Sequence, residues 1–126
     1  MVGVVLIVVD AANVVGSVPD GWWRDRAGAA ERLRDALAAA GPAALPGADP
    51  EAEIVLVVEG AARRLAAVPG VRVIAAGGSG DDEIVALCRE NRDDDIVVVT
   101  ADRALRDRVT QLGARVVGPT MLRVRR

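Results

Sequence analysis

Three apolar runs rich in β-branched residues set the terms for how this chain folds. The first, Gly3 to Val9 (GVVLIVV), is uninterrupted and stops at Asp10. The others, Glu53 to Val58 and Asp95 to Val99, have the same Val/Ile character. Continuous runs of this kind, without polar alternation, are the mark of strands covered on both faces, as in a parallel sheet. The first run breaks far short of the roughly twenty apolar residues that a membrane span needs.

Helical patterns fall between the strands. After the first run, a loop with Gly16, Pro19, Asp20 and Gly21 leads into a predicted helix from Trp22 to Ala40. Trp23, Ala27, Ala30, Leu33, Ala36 or Leu37, and Ala40 are spaced for one face of it, and Gly41-Pro42 stops it. The stretch 41–50, rich in Pro, Gly and Ala, reads as a flexible surface loop. A strand at Glu53–Val58, a short helix near Ala61 to Ala67, and a strand at Val71–Ala75 follow. Gly77-Gly78-Ser79-Gly80 opens a helix to about Asn91. A fourth strand at Asp95–Val99, a helix from Asp102 to Leu112 and a fifth strand at Arg115–Val117 complete the order. This alternation predicts an α/β fold: a Rossmann-like three-layer sandwich with a mostly parallel sheet of about five strands. The 126 residues fit a single domain, 1–126, with a basic tail at 120–126.

Composition narrows the chemistry. The chain has no His, Lys or Tyr, and all 16 of its basic residues are Arg. Most general bases and activated nucleophiles are therefore missing. A phosphate-binding P-loop needs a Lys. Gly-Gly-Ser-Gly does not match a dinucleotide loop, and the acids behind it would repel a pyrophosphate, so no nucleotide cofactor is expected. A phosphoacceptor receiver domain would also carry a Lys. The lone Cys88, in an apolar helical stretch, reads as a buried inert thiol. The formal charge of −2 excludes a uniformly basic nucleic-acid binder but allows a basic rim around an acidic centre. With no signal peptide, the expected location is cytoplasmic, with no membrane partner. A homo-oligomer is possible but not expected.

Carboxylates remain as the chemical resource, and they fall at strand ends. Asp10 ends the first strand and Asn13 follows it; Asp81 and Asp82 open a helix; Asp102 follows the fourth strand. In open α/β sheets, ligands bind at the carboxyl ends of the strands. Clustered carboxylates raise one another's pKa unless a cation sits among them, and Mg²⁺ or Mn²⁺ takes oxygen ligands of this kind. Metal-dependent phosphodiester hydrolysis needs neither His nor Lys. Each acid also has a plainer reading: Asp10 as a strand end, Asn13 in an Asx turn, Asp81, Asp82 and Asp102 as helix caps. Asp93-Asp94-Asp95, at the amino end of its strand, reads as a solvated turn outside the site.

Asp10-Ala-Ala-Asn13 after a β run, Asp81-Asp82 opening a helix and Thr100-Ala-Asp102 after a later strand resemble the motifs of the NYN domain, a branch of the PIN-like metal-dependent ribonucleases. The resemblance extends from Val4 to about Pro119 and rests on the order and spacing of the motifs. It implies a Rossmann-like sheet, one or two Mg²⁺ or Mn²⁺ ions, and cleavage of RNA. It makes Asp10 a central metal ligand, has Asn13 position a ligand or substrate, and has Asp81, Asp82 and Asp102 complete the acidic pocket. The expected function is thus a metal-dependent endoribonuclease, with a non-catalytic RNA- or partner-binding module on the same scaffold as the alternative. Arg24, Arg26, Arg103 and Arg106 are candidates to grip phosphates, and one of Trp22 and Trp23 to stack a nucleobase.

Overall fold

The computed structural model describes residues 4–125. Five strands form one all-parallel sheet in the order β3-β2-β1-β4-β5. The strands are β1 (Val5–Asp10), β2 (Glu53–Val58), β3 (Val71–Ala75), β4 (Asp95–Val99) and β5 (Arg115–Val117). The chain leaves β1 toward β2 on one side and later returns to β4 on the other. The β1/β4 border is therefore where the strand order reverses, the crevice in which doubly wound sheets bind ligands. Gly3, the expected start of the first strand, lies outside the described residues.

Both faces of the sheet are covered, which explains the unbroken apolar runs. Along β1, Ile7 and Val9 pack on one face with α1 (Ala11–Gly16) and α2 (Arg26–Ala40). Leu6 and Val8 pack on the other with α3 (Gly80–Glu90) and α4 (Arg103–Thr110). β2 and β4 split their side chains in the same way, Leu56 and Val97 to the first core, Val55 and Val98 to the second. Cys88 is buried in the second core, and burial pushes its thiol up to about 11, as an inert core cysteine requires. Among the described residues, no helix is long and apolar enough to cross a membrane.

Several expectations about the elements need correction. The stretch after Asp10 is a short helix, α1, whose Val14 and Val15 are buried. Six residues are too few to show a helical period, so the sequence read it as loop. The helix expected from Trp22 is broken at Asp25. Gly21, at φ 84°, starts a separate 3-10 turn over Trp22–Arg24. Asp25 then leaves helical geometry and its Oδ1 accepts from Gly28 N at 2.9 Å, capping α2. The buried stripe of α2 runs through Ala29, Ala30, Leu33, Ala36 and Leu37, while Ala27 is exposed. Gly60–Ala62 is only a 3-10 turn, and the residues after it do not form a helix. The Ala66 carbonyl instead accepts from Arg34 Nη1 at 2.9 Å, tying that loop to α2.

The stretch 41–50 is anchored. Gly41–Ala44 forms a 3-10 turn, Ala44 and Leu45 are buried in the first core, and Ala44 O accepts from Arg123 N at 2.7 Å. Leu122 and Val124 pack on that core too, so the basic tail is pinned against the molecule, with Arg123 and Arg125 exposed. Arg126 lies outside the described residues.

Candidate functional site

β1 delivers Asp10 to the carboxyl edge of the sheet, where it is buried to 4% exposure. Its φ of −77° and ψ of 93° keep it extended while the next residue turns into α1. One carboxylate oxygen, Oδ1, accepts from Asn13 N at 3.4 Å, which makes Asp10 the cap of that helix. The other, Oδ2, accepts from Thr100 Oγ1 at 2.9 Å across the β1/β4 border. Thr100 is itself 3% exposed, and its hydroxyl oxygen also accepts from Asp102 N at 3.1 Å. One hydroxyl thus links the first strand-end acid to the loop that carries the last.

Asn13 ties the same two segments. Its Oδ1 accepts from Ala101 N at 2.8 Å, so the amide fastens α1 to the β4–α4 loop. Asp102 caps α4, with Oδ1 accepting from Leu105 N at 3.0 Å. The contact of Asp102 matches its plainer reading as a helix cap, while Asp10, read more plainly as a strand end, is a cap as well. The two contacts also fix the carboxylates in place, because each cap leaves oxygen lone pairs on the edge of the sheet.

The electrostatics show which acids share the edge. Burial raises the Asp10 carboxyl from 3.8 to about 6, against the lowering effect of the Thr100 and Asn13 hydrogen bonds, and the charges of Asp81 and Glu59 raise it further. Asp81 is raised as well, first by burial, then by the charges of Asp102 and Glu59, while Arg108 lowers it. The Asp81 and Asp102 carboxyls lie close enough to share a hydrogen bond. Asp81 is therefore the acid that links the others, repelled by Asp102 on one side and acting on Asp10 on the other, with Glu59 acting on both Asp10 and Asp81.

Asp82 faces away from this group. It starts the same helix, but one residue along a helix turns the side chain by about 100°. Its Oδ1 instead meets Arg108 Nη1 at 3.0 Å on the exposed side of α4. Its amide donates to Ser79 Oγ at 3.2 Å, making Ser79 the cap of α3. Asp93–Asp95 lies at the opposite edge: Asp94 Oδ1 accepts from Val4 N, and Asp95 pairs with Arg115 at 3.1 Å.

The sequence reading missed Glu59. It is the first residue beyond β2, and its Oε2 accepts from Gly80 N at 2.8 Å, bracing the start of α3 against the sheet. Its charge acts on both Asp10 and Asp81. The signal was present: Val57-Val58-Glu59 repeats the pattern of Val8-Val9-Asp10, an apolar parallel strand ending in an acid.

Of the other candidates, Trp22 packs partly against the first core and Trp23 is 53% exposed. Their rings meet edge to face, with centroids 6.0 Å apart. The Arg26 guanidinium lies over the Trp22 ring at 5.3 Å and that of Arg24 over Trp23 at 5.8 Å. Arg103 begins α4 beside Asp102 and is exposed; Arg106 follows on the same helix and makes a 4.0 Å surface pair with Asp107.

Mg²⁺ or Mn²⁺ suits this donor set in kind: the groups are hard carboxylate oxygens, without His or a usable thiol, and the carboxyls repel one another. Among the described residues, however, no three Asp, Glu, His or Cys side chains gather tightly enough to enclose a metal ion. The match lies in donor chemistry and charge, and a closed ligand shell is absent.

No family model matches the chain. No curated protein matches it either. Among solved structures, the crystal structure of Rae1 (YacP) from Bacillus subtilis, in a mutant form, is similar, with a TM-score of 0.68 and 18% identity. The match covers 92% of this chain and 70% of that one. The likeness is one of fold: an α/β, Rossmann-like parallel sheet flanked by helices.

Proposed function

We propose that this protein is a metal-dependent endoribonuclease on a PIN-like domain of the NYN kind. The observation that carries the reading is Asp10: a carboxyl buried at the strand-order reversal, oriented by Thr100, and raised to about 6 first by its burial and then by the charges of Asp81 and Glu59. Concentrated negative charge at such a crevice attracts a cation. Asp10, Asp81 and Asp102 would hold Mg²⁺ or Mn²⁺, and Asp82, turned to Arg108, would not. When bound, the ion supplies Lewis-acid polarisation of the phosphate and a more acidic water.

The chain's own groups do the positioning. Thr100 holds Asp10 in one orientation, and Asn13 locks the Asp102 loop to α1. Arg26, at the start of α2, and Arg103, at the start of α4 beside Asp102, are the groups this reading assigns to phosphates flanking the scissile bond. RNA is the substrate class this reading assigns, with no nucleotide cofactor and a cytoplasmic location.

The test is incubation of purified protein with end-labelled single-stranded and hairpin RNA in Mn²⁺, in Mg²⁺ and in EDTA, beside Asp10→Ala. Metal-dependent cleavage that the variant loses is the expected result. That no three acids close around one point among the described residues favours a second reading, a non-catalytic RNA- or partner-binding module. RNA binding that persists in EDTA and in Asp10→Ala, with no cleavage in any metal, would establish that reading instead.

A further inference from the structure

A cavity of about 410 Å³ opens beside the carboxylate edge, on the face of the sheet covered by α1 and α2. Its volume is in the range of small-ligand sites. Ala11 and Ala12 of α1 form one side and Glu59 and Gly60 another, while Trp22 and Arg26 supply the large flat surfaces. We propose that this cavity receives one unpaired nucleobase of the RNA whose phosphate lies at the Asp10 edge, an assignment that rests on the ribonuclease reading and names what the site selects.

Three observations support this occupant. First, the cavity offers a stacking wall. The indole of Trp22 carries the Arg26 guanidinium over it at 5.3 Å, and both indoles and guanidinium planes stack on bases. The wall is held in shape: Trp22 packs partly against the first core, and Trp23 abuts its ring edge to face.

Second, polar groups sit where a base edge needs them. The Glu59 carboxylate, already fixed by Gly80 N, lines the cavity and can accept from base N–H groups, and the Arg26 guanidinium can donate to a phosphate. Third, the cavity and the acidic edge are continuous. Ala11 directly follows Asp10, and Glu59 both lines the cavity and acts on Asp10 and Asp81. A base seated here brings its own backbone to the carboxylates. A paired base cannot enter without leaving its stack, so the cavity selects single-stranded segments.

The chain has two Trp and no Tyr or Phe, so Trp23→Phe leaves Trp22 as the sole strong fluorophore. Protein carrying Trp23→Phe and Asp10→Asn is titrated in EDTA with a short single-stranded RNA, the same sequence as a duplex, and an abasic strand of equal length. The expected result is quenching of Trp22 by the single strand, with affinity about tenfold weaker for the abasic strand and for a further Ala12→Leu change that fills the cavity from α1. Equal quenching by the abasic strand, or full affinity in Ala12→Leu, overturns the proposal. In parallel, wild type, Trp22→Ala and Ala12→Leu are assayed for RNA cleavage in Mn²⁺. Base-dependent quenching with no cleavage by wild type upholds the cavity and overturns the nuclease reading. Cleavage of single-stranded RNA by Ala12→Leu and Trp22→Ala at the wild-type KM upholds the nuclease and overturns the cavity.

Discussion

Asp10 and Thr100, 90 residues apart in the chain, meet through a 2.9 Å hydrogen bond between two side chains that are both buried. The bond crosses the border where the sheet reverses its order, so it joins the two strands that must be in register for any site to exist there. Thr100 also accepts from Asp102 N. Replacing Thr100 with Val keeps the shape and removes both contacts, leaving a buried carboxylate short of a donor. The expected cost is about 1–3 kcal/mol of stability by urea denaturation, with most of it restored by Thr100→Ser. A Thr100→Val protein as stable as wild type would show that the hydroxyl does not hold Asp10.

The raised pKa of Asp10 makes a signed prediction about stability. In the folded protein the carboxyl titrates near 6; in the unfolded chain it titrates near its ordinary 3.8. Between these values the folded state binds more protons, so stability contributed by this group falls as pH rises from about 4 to about 6 and stays lost above. Below the lower value the group is neutral in both states, so that stability is fully present and no longer changes with pH. Asp10→Asn can satisfy Thr100 and the Asn13 amide without charge. In EDTA its melting temperature should exceed that of wild type by several degrees at pH 7.5, with the gap closing by pH 4. A gap that is absent at pH 7.5, or of equal size at pH 4, would contradict a desolvated Asp10.

The central strands were legible from the sequence because burial on both faces writes itself as unbroken Val and Ile: β2 and β4 fall where those runs lie and β1 ends one residue later, at Asp10, while the part-exposed edge strands β3 and β5 were legible from their place in the alternation. Local competition for hydrogen bonds was less visible. Asp25 looks like any polar residue within a helical period, yet its side chain takes the Gly28 amide and ends the 3-10 turn before α2 starts. Asp81 and Asp82 could not be told apart from order in the chain, since which of two neighbours faces the sheet depends on the rotation of α3. Glu59 carries no family motif around it, and only its place one residue beyond β2 marks it.

Asp81 and Asp82 should behave differently despite their adjacency. The Asp82–Arg108 pair is largely exposed, so breaking it by Asp82→Ala should change stability by no more than about 0.5 kcal/mol and leave metal-dependent RNA cleavage near the wild-type rate. Asp81→Asn removes a carboxyl that lies against Asp102 and acts on Asp10, and should abolish most cleavage while the fold persists. Arg108→Ala should raise the Asp81 pKa further, moving the acidic limb of the pH–rate profile to higher pH. Rates for the three variants across pH 5 to 8 read all of this at once, and equal loss in Asp81→Asn and Asp82→Ala would reverse the assignment of Asp82 to the surface.

Cation binding can be read without any RNA. If Asp10, Asp81 and Asp102 hold Mg²⁺ or Mn²⁺, the ion binds the folded state and not the unfolded one, and the melting temperature rises with its concentration: at a hundredfold excess over Kd the stabilisation is about 2.7 kcal/mol. Relief of the repulsion that raises Asp81 and adds to the rise of Asp10 is part of that Kd and brings no gain beyond it. Asp10→Ala and Asp81→Ala should each abolish the metal-dependent rise, whereas Asp82→Ala should keep it. The wild-type shift should also shrink as pH falls through about 6, where Asp10 takes up a proton and competes with the ion. A melting temperature that ignores both metals at pH 7.5 would leave the acidic edge without its cation and move the protein to the binding-module reading.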